Sequence, residues 1–218
     1  MKILVLGATG RTGNYIVKEA IDRGIEVNAL VRNSSRLLTR NNKLNIFEGS
    51  PYIKEDLYKP MEGVDAVISA LNVARKTDFP WSKLVSPADL MSKSVGNAIE
   101  VMKEKDVKRI IVISAAGAGD SWENTPGWFR WIINNSNIRH AYADHNKQEG
   151  ALAGSGLHWT ALRPTGLSGK DSDKEIVITT KDGPKPGFMI TRHAVAAFIL
   201  DILDNSDYYG KAPIVSQK

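Results

Sequence analysis

The chain has 218 residues, 42% of them hydrophobic and 24% charged, with 29 Lys and Arg against 24 Asp and Glu. This length fits one α/β domain with a full core, although two small domains also fit. The absence of cysteine excludes disulfides, thiolate metal sites and cysteine nucleophiles. The four scattered histidines lack a paired ligand spacing, so we expect no metal.

The sequence also limits the partners that we expect. The first apolar run has five residues behind a single Lys, and no apolar stretch reaches membrane-spanning length. We therefore predict a soluble, cytoplasmic protein without a signal peptide or a membrane partner. Lys and Arg are dispersed, so we interpret the net charge of +5 as attraction for small anionic ligands and expect no nucleic-acid partner. A monomer and a homodimer both stay open.

Predicted strands alternate with predicted helices along the whole chain. The apolar patterns predict strands at 2–6, 27–31, 44–47, 65–71, 109–114, 157–163 and 175–180. They predict helices at 14–23, from an N-cap at Ser86 to 102, at 144–153 and at 191–203. This order predicts an α/β fold, a single Rossmann-like doubly wound parallel sheet with helices on both faces. We expect one domain over 1–218, with a small substrate-side portion at about 165–190.

The segment GATGRTG, residues 7–13, directly follows the first strand. Gly7 permits a sharp turn, Gly10 permits close approach of a pyrophosphate, and Gly13 permits close packing of helix on strand. The following helix then directs its free N–H groups at phosphate. The segment predicts a dinucleotide site, and a purely structural turn is the alternative.

The end of the second strand indicates which dinucleotide is bound. An NAD site usually carries an acidic residue there, whereas this chain has Arg32, followed by Asn33, Ser34, Ser35 and Arg36. Guanidinium groups suit a 2′-phosphate. We therefore predict NADP as the cofactor, and two solvated loop charges are the alternative.

Seven segments together carry a resemblance to a known family: GATGRTG, VRNSSR, DAVISAL, RIIVIS, SGLHWTALRPTGL, KDGP and TRHAVAAFIL. They resemble the atypical short-chain dehydrogenase/reductase group with NAD(P)-binding NmrA-like domains, and within it the biliverdin reductase B/flavin reductase type. The resemblance covers nearly the whole chain and implies a Rossmann-like fold and an NAD(P) cofactor.

The resemblance also implies where the cofactor binds. Its pyrophosphate would lie on the glycine segment, at Gly7, Thr9, Gly10, Arg11, Thr12 and Gly13. Its 2′-phosphate would lie at Arg32, Ser35 and Arg36. The residues expected to line the nicotinamide end are Leu71, Asn72, Ser114, Ala115, Pro164 and Thr165.

One departure from the family concerns proton transfer. Short-chain dehydrogenases use a Tyr-x-x-x-Lys pair, which would fall here on Ala141 and His145. Tyr142 and Lys147 are five residues apart, so they do not share a helix face. Ser114 and His145 are the predicted catalytic residues. His145 could donate a proton, orient the cofactor, or be a helix residue bonded to the backbone.

Two further segments are unusual. After the third strand the family shows Gly-Asp near the adenine, whereas this chain has Gly49-Ser50, which puts adenine recognition there in doubt. Trp122, Trp128, Phe129 and Trp131 follow the strand that ends at Ser114. This Trp-rich segment could form a wall of the substrate site, anchor a short helix to the core, or make a subunit contact.

Three functions are consistent with these observations. The leading hypothesis is an NADPH-dependent reductase of flavin, quinone or a similar planar acceptor, because such acceptors need a hydride and can take their proton from solvent. The second is an NADP-sensing regulator of NmrA type without turnover. A nucleotide-sugar epimerase ranks last, because it needs the tyrosine and a larger domain after Pro164.

Overall fold

The computed structural model describes residues 1–37, 39, 41–170, 172–180 and 183–218. Within these residues the strands, in chain order, are β1 (Lys2–Leu6), β2 (Glu26–Val31), β3 (Leu44–Glu48), β4 (Ala66–Ser69), β5 (Arg109–Ile113), β6 (His158–Pro164), β7 (Gly166–Ser168), β8 (Ile176–Thr179), β9 (Met189–Thr191) and β10 (Ile214–Gln217). The α-helices are α1 (Arg11–Asp22), α2 (Leu90–Glu104), α3 (Gly127–Asn134), α4 (Ile138–Ala153) and α5 (Arg192–Asp201).

Eight strands form one sheet in the order β3-β2-β1-β4-β5-β6-β10-β8. Neighbouring strands are parallel, except that β8 runs antiparallel to β10 at the edge. The short strands β7 and β9 form a separate parallel pair. The predicted doubly wound, mostly parallel sheet is confirmed. Because the strand order reverses between β1 and β4, ligands are expected at the carboxyl ends of these strands.

Helices cover both faces of this sheet. Alternate side chains of β1 point to opposite faces, with Ile3 and Val5 in one apolar core and Leu4 and Leu6 in the other. Helices α1 and α5 pack together over the first core, and α2 and α4 over the second. No helix in the described residues is long and apolar enough to cross a membrane.

The predicted start of the second helix is wrong. Helix α2 begins at Leu90 rather than after Ser86. The Ser86 hydroxyl instead accepts a hydrogen bond from the Ala74 backbone N–H at 2.8 Å. The carboxylate that satisfies the start of α2 belongs to buried Asp144 on α4, which accepts from the N–H of Met91 at 2.7 Å. A tertiary contact therefore replaces the local cap that the Ser-Pro pair predicted.

Several elements were not predicted. Helix α4 begins at Ile138, six residues before the predicted start at 144, and α3 precedes it. Strands β7, β9 and β10 are three or four residues long, too short for a clear periodic pattern. In the KDGP stretch, Lys181 and Asp182 lie outside the described residues.

Candidate functional site

The glycine segment needs its glycines for steric reasons. Gly7 has φ +83, and a Cβ there would lie 2.9 Å from the carbonyl carbon of Ala70, after β4. A Cβ on Gly13 would overlap the carbonyl oxygen of Gly7. The N–H of Gly10 donates to that same oxygen at 2.9 Å. The turn is therefore compact, and its three glycines leave backbone atoms where side chains would otherwise stand.

The start of α1 suits an anion. Gly10 occupies the N-cap position, no described side chain caps the helix there, and its first turn has no acidic residue. The first N–H groups and the positive end of the helix dipole are thus available to a pyrophosphate. The Arg11 guanidinium binds both carboxylate oxygens of Asp78, at 2.7 and 2.8 Å. This exposed ion pair joins the glycine segment to the loop after β4 and lowers the pKa of Asp78.

A cleft at the carboxyl edge of the sheet brings four predicted cofactor residues together. Gly7, Thr9, Arg32 and Leu71 line a cavity of about 70 Å³, and the carboxyl end of β3 contributes Gly49 to it. The remaining lining residues are Leu30, Val31, Ser50, Pro51 and Leu90. Because the parallel strands end at one edge, residues far apart in sequence meet there.

The other predicted cofactor residues lie along the same edge. Asn72 follows β4, Ala115 follows β5, and Pro164 ends β6. The hydroxyl oxygen of Thr165, directly after β6, is buried and has no hydrogen-bond partner within the described part of the chain. Buried hydroxyls are normally paired, so this oxygen is a donor and acceptor available to a ligand.

The turn after β2 contains one group that the sequence reasoning missed. Arg32, Ser35 and Arg36 are exposed there, but the Ser35 N–H and hydroxyl both donate to the Asn33 side chain, at 2.9 and 2.7 Å. Glu48, which ends β3, accepts the N–H of Ser34 at 3.0 Å. Hydrogen bonds from the Ser34 hydroxyl and N–H lower the pKa of Glu48. Two cations and one carboxylate therefore share the predicted 2′-phosphate position.

A buried network holds Ser114 at the end of β5. The Ser114 hydroxyl donates to Glu149 Oε1 at 2.5 Å. The guanidinium of Arg163 on β6 donates to both oxygens of Glu149, at 3.1 and 2.6 Å, and to Asp120 at 2.5 Å. The hydrogen bond from Arg163 lowers the pKa of Asp120. The charged Arg163 in the apolar run before Pro164 is the sequence signal for this network.

His145 is buried and neutral. Desolvation lowers its pKa to about 4. The amide nitrogen of Gln148 lies 3.1 Å from His145 Nδ1 and also donates to the carbonyl of Ile113. Because that nitrogen can only donate, Nδ1 is the acceptor and the ring proton is on Nε2.

Tyr142 does not replace the missing tyrosine. Its hydroxyl donates to the carbonyl of Ala116 at 3.0 Å, and burial raises its pKa. Ala141, at the family's tyrosine position, is buried against α2, and Lys147 is exposed. Among the predicted candidates, therefore, no side chain in this part of the site is suited to donate a proton at neutral pH.

Gly49-Ser50 has a carboxylate beside it after all. The Ser50 N–H donates to Asp56 Oδ2 at 2.8 Å, and a Cβ on Gly49 would lie 2.9 Å from the carboxyl carbon of Asp56. The Asp56 carboxylate therefore places a negative charge next to Gly49 and Ser50, where the family has the aspartate of its Gly-Asp pair. In the described residues, no group of three or more His, Asp or Glu side chains is placed to hold a metal.

In the Trp-rich segment, Trp128, Phe129 and Trp131 lie on helix α3, whereas Trp122 ends the 3-10 helix Gly119–Trp122 before it. Phe129 packs edge-on against Tyr142 of α4, with ring centroids 6.3 Å apart. Trp128 and Trp131 are exposed on the outer side of the helix. These two tryptophans do not anchor the helix to the core.

A doubly wound sheet with a glycine turn and an uncapped helix at its switch point defines a Rossmann-type dinucleotide-binding protein. The chain belongs to the NAD(P)H-binding family, whose sequence model matches residues 7–206.

Known relatives include reductases. Sanguinarine reductase of Eschscholzia californica is 26% identical over 97% of this chain and 87% of its own length. An uncharacterised Bacillus subtilis protein, YwnB, is 33% identical over 54% of this chain, which spans about half (49%) of that relative.

Solved structures share the fold. A Veillonella parvula short-chain dehydrogenase/reductase in complex with NADP superimposes with a TM-score of 0.81 at 17% identity, covering 99% of this chain and 94% of its own. The anaerobilin reductase ChuY of Escherichia coli O157:H7 gives 0.80 at 17% identity, covering 100% and 97%.

Proposed function

We propose that this protein is an NADPH-dependent reductase of the biliverdin reductase B/flavin reductase type, which passes hydride to flavin, quinone or a similar planar acceptor. One observation supports the proposal: among the described residues, neither Tyr142 nor His145 is suited to donate a proton where dehydrogenases have their tyrosine. Tyr142 is bonded to a backbone carbonyl, and His145 has a pKa near 4. A planar acceptor that is protonated by water needs no such donor.

The choice of NADP rests on Arg32 and Arg36. Their guanidinium groups are exposed at the turn after β2, where they would hold a 2′-phosphate against the opposing charge of Glu48. The first turn of α1, with Thr9, Thr12 and the three glycines, would hold the pyrophosphate. When bound, the reduced nicotinamide supplies the hydride.

The nicotinamide end has its own set of side chains. Leu71, Asn72, Ala115, Pro164 and Thr165 would line it, the Thr165 hydroxyl being available for a hydrogen bond. We assign Ser114 and His145 to positioning this end. Glu149 holds the Ser114 hydroxyl, and neutral His145 is fixed by Gln148.

The acceptor would bind on the side formed by residues 165–190. The β7 and β9 pair lies directly after Pro164 and before α5, and it presents exposed Phe188 and Met189. An apolar rim of this kind suits a flat ring. Sanguinarine reductase, which is similar to this protein over 97% of the chain, is by name a reductase, and this supports a reductase activity.

A non-catalytic NADP sensor of NmrA type is the second candidate, because the same missing proton donor also fits a protein that binds without turnover. One experiment separates the two functions. Purified protein is mixed with NADPH and a panel of FMN, riboflavin and quinones, and NADPH oxidation is followed against the free reaction. The reductase predicts acceleration with at least one acceptor. Tight binding of both NADP⁺ and NADPH without acceleration by any acceptor would establish the sensor.

A further inference from the structure

Four large aromatic side chains lie exposed on two segments beyond the carboxyl edge of the sheet. Trp128 and Trp131 on α3 are 63% and 60% exposed and share one side of the helix. Phe79 and Trp81, on the loop after β4, are 62% and 44% exposed, with ring centroids 5.3 Å apart. We call these four residues the aromatic face. Exposed apolar side chains grouped on neighbouring segments often mark a binding surface.

The aromatic face is held in place by hydrogen bonds. The loop is a hairpin, closed by the Val85 N–H donating to the Ala74 carbonyl at 2.8 Å. Its tip is fastened to the end of α3, because the Trp81 indole N–H donates to the Asn135 carbonyl at 2.8 Å. The Asn137 N–H donates to the Pro80 carbonyl at 3.0 Å. The exposure of these rings is therefore part of a fixed arrangement of both segments.

Basic residues accompany the aromatic face. Lys76 and Lys83 stand on the hairpin, Arg130 lies on α3 and Arg139 on α4. None of the four forms an ion pair with a carboxylate in the part of the chain that the structure describes. Asp78, the acidic residue of the hairpin, is neutralised by Arg11. The hairpin and α3, which carry the aromatic face, thus have more positive than negative side chains.

We propose that the aromatic face docks the protein on an anionic lipid surface. Aromatic rings favour the boundary between lipid headgroups and acyl chains, and Lys and Arg are attracted to anionic headgroups. Such contact needs no membrane-spanning segment. The sequence expectation of no membrane partner rested on the lack of an apolar stretch of spanning length, and this proposal revises that expectation.

Two other occupants fit less well. A two-fold dimer through this face would place the same basic residues against each other, at a cost in repulsion. Single-stranded nucleic acid stacks its bases on open aromatic faces, but here Phe79 leans on Trp81, and Trp128 on Phe129 with centroids 5.5 Å apart. A lipid surface needs neither self-complementarity nor free ring faces.

Docking would bring the site to the membrane. The hairpin follows β4 and α3 follows β5, the strands whose carboxyl ends border the predicted nicotinamide position. Lipid-dissolved quinones would then be acceptors within reach. This consequence for substrate class rests on the proposed function, whereas the docking itself does not.

Vesicle co-sedimentation of the full chain tests the docking without any turnover. We expect binding to phosphatidylcholine vesicles that contain about one third phosphatidylserine, and at least about tenfold weaker binding to phosphatidylcholine alone. W128A/W131A is expected to weaken binding about tenfold or more. K76E/K83E should remove the dependence on phosphatidylserine. I53A and K59E/K103E are the controls, with an exposed apolar residue after β3 that lies outside the face and two lysines before β4 and at the end of α2.

Four results would overturn the docking proposal. Equal, negligible sedimentation with both vesicle types would overturn the proposal, as would losses in the control variants as large as those in the face variants. So would a dimer in sedimentation velocity that W128A/W131A dissociates while vesicles stay unbound, or capture of single-stranded oligonucleotides in place of vesicles. Circular dichroism of each variant establishes that it is folded before it is used.

Discussion

Replacing Glu149 by Leu is expected to destabilise the protein strongly. The side chains of Arg163 and Glu149 are only 6% and 11% exposed. Without Glu149, the buried guanidinium keeps only Asp120, whose side chain is 91% exposed. Removing one partner of a buried ion pair costs about 3–5 kcal/mol, and the Ser114 hydroxyl loses its acceptor as well, at about 1 kcal/mol. For a chain of this size, a combined loss of about 4–6 kcal/mol lowers the Tm by roughly 8–24 °C.

Urea unfolding at neutral pH measures this loss, and two further variants identify its cause. E149L/R163M should lie within about 2 kcal/mol of the wild type, because it leaves no charge unpaired in the interior. D78L breaks an ion pair of the same bidentate form, but one whose side chains are 65% and 78% exposed, and should cost less than about 1 kcal/mol. Two results would refute this explanation: E149L costing no more than D78L, or E149L/R163M being destabilised as much as E149L.

Three other predictions concern single residues. His145 has a pKa of about 4 in the folded protein and of about 6.5 in the unfolded chain. Its contribution to the free energy of unfolding is therefore complete above pH 6.5 and falls by about 2 kcal/mol as the pH is lowered to 5. Urea unfolding of H145N should lack this fall, and an unchanged pH dependence would contradict the prediction. G13A, whose Cβ would overlap the Gly7 carbonyl, should cost more than about 1 kcal/mol, whereas G96A on α2, with open space at its Cβ, should gain about 0.5–1 kcal/mol; thermal melts with the same sign for both would refute this. E48Q should raise the preference for NADP⁺ over NAD⁺ roughly fivefold, as for one charge removed about 4 Å from the phosphate in water, and titrations showing an unchanged ratio would exclude Glu48 as an opposing charge.

The fold could be predicted because local signals agreed with it. A strand is predicted directly by apolar runs such as 109–113, and a turn by the glycines at 7, 10 and 13. The parallel sheet then places the ends of β1, β2, β4, β5 and β6 at one edge. The predicted cofactor residues fall at that edge, although their role in binding stays a prediction.

Tertiary partners could not be predicted in the same way. The cap of α2 is Asp144, more than 50 residues away, and it displaced the local signal of Ser86. The neutrality of His145 comes from burial, and Gln148 bonds its ring; a periodic pattern encodes neither. The approach of Glu48 to the turn after β2 depends on the register of β3 on β2.

The most direct test of the proposed cofactor site is calorimetric titration of the protein with NADP⁺ and with NAD⁺, repeated with the R32A/R36A variant. We expect NADP⁺ to bind at least about tenfold more tightly than NAD⁺, and the variant to lose this preference while still binding NAD⁺. Equal affinity for the two nucleotides in the unmodified protein would contradict it.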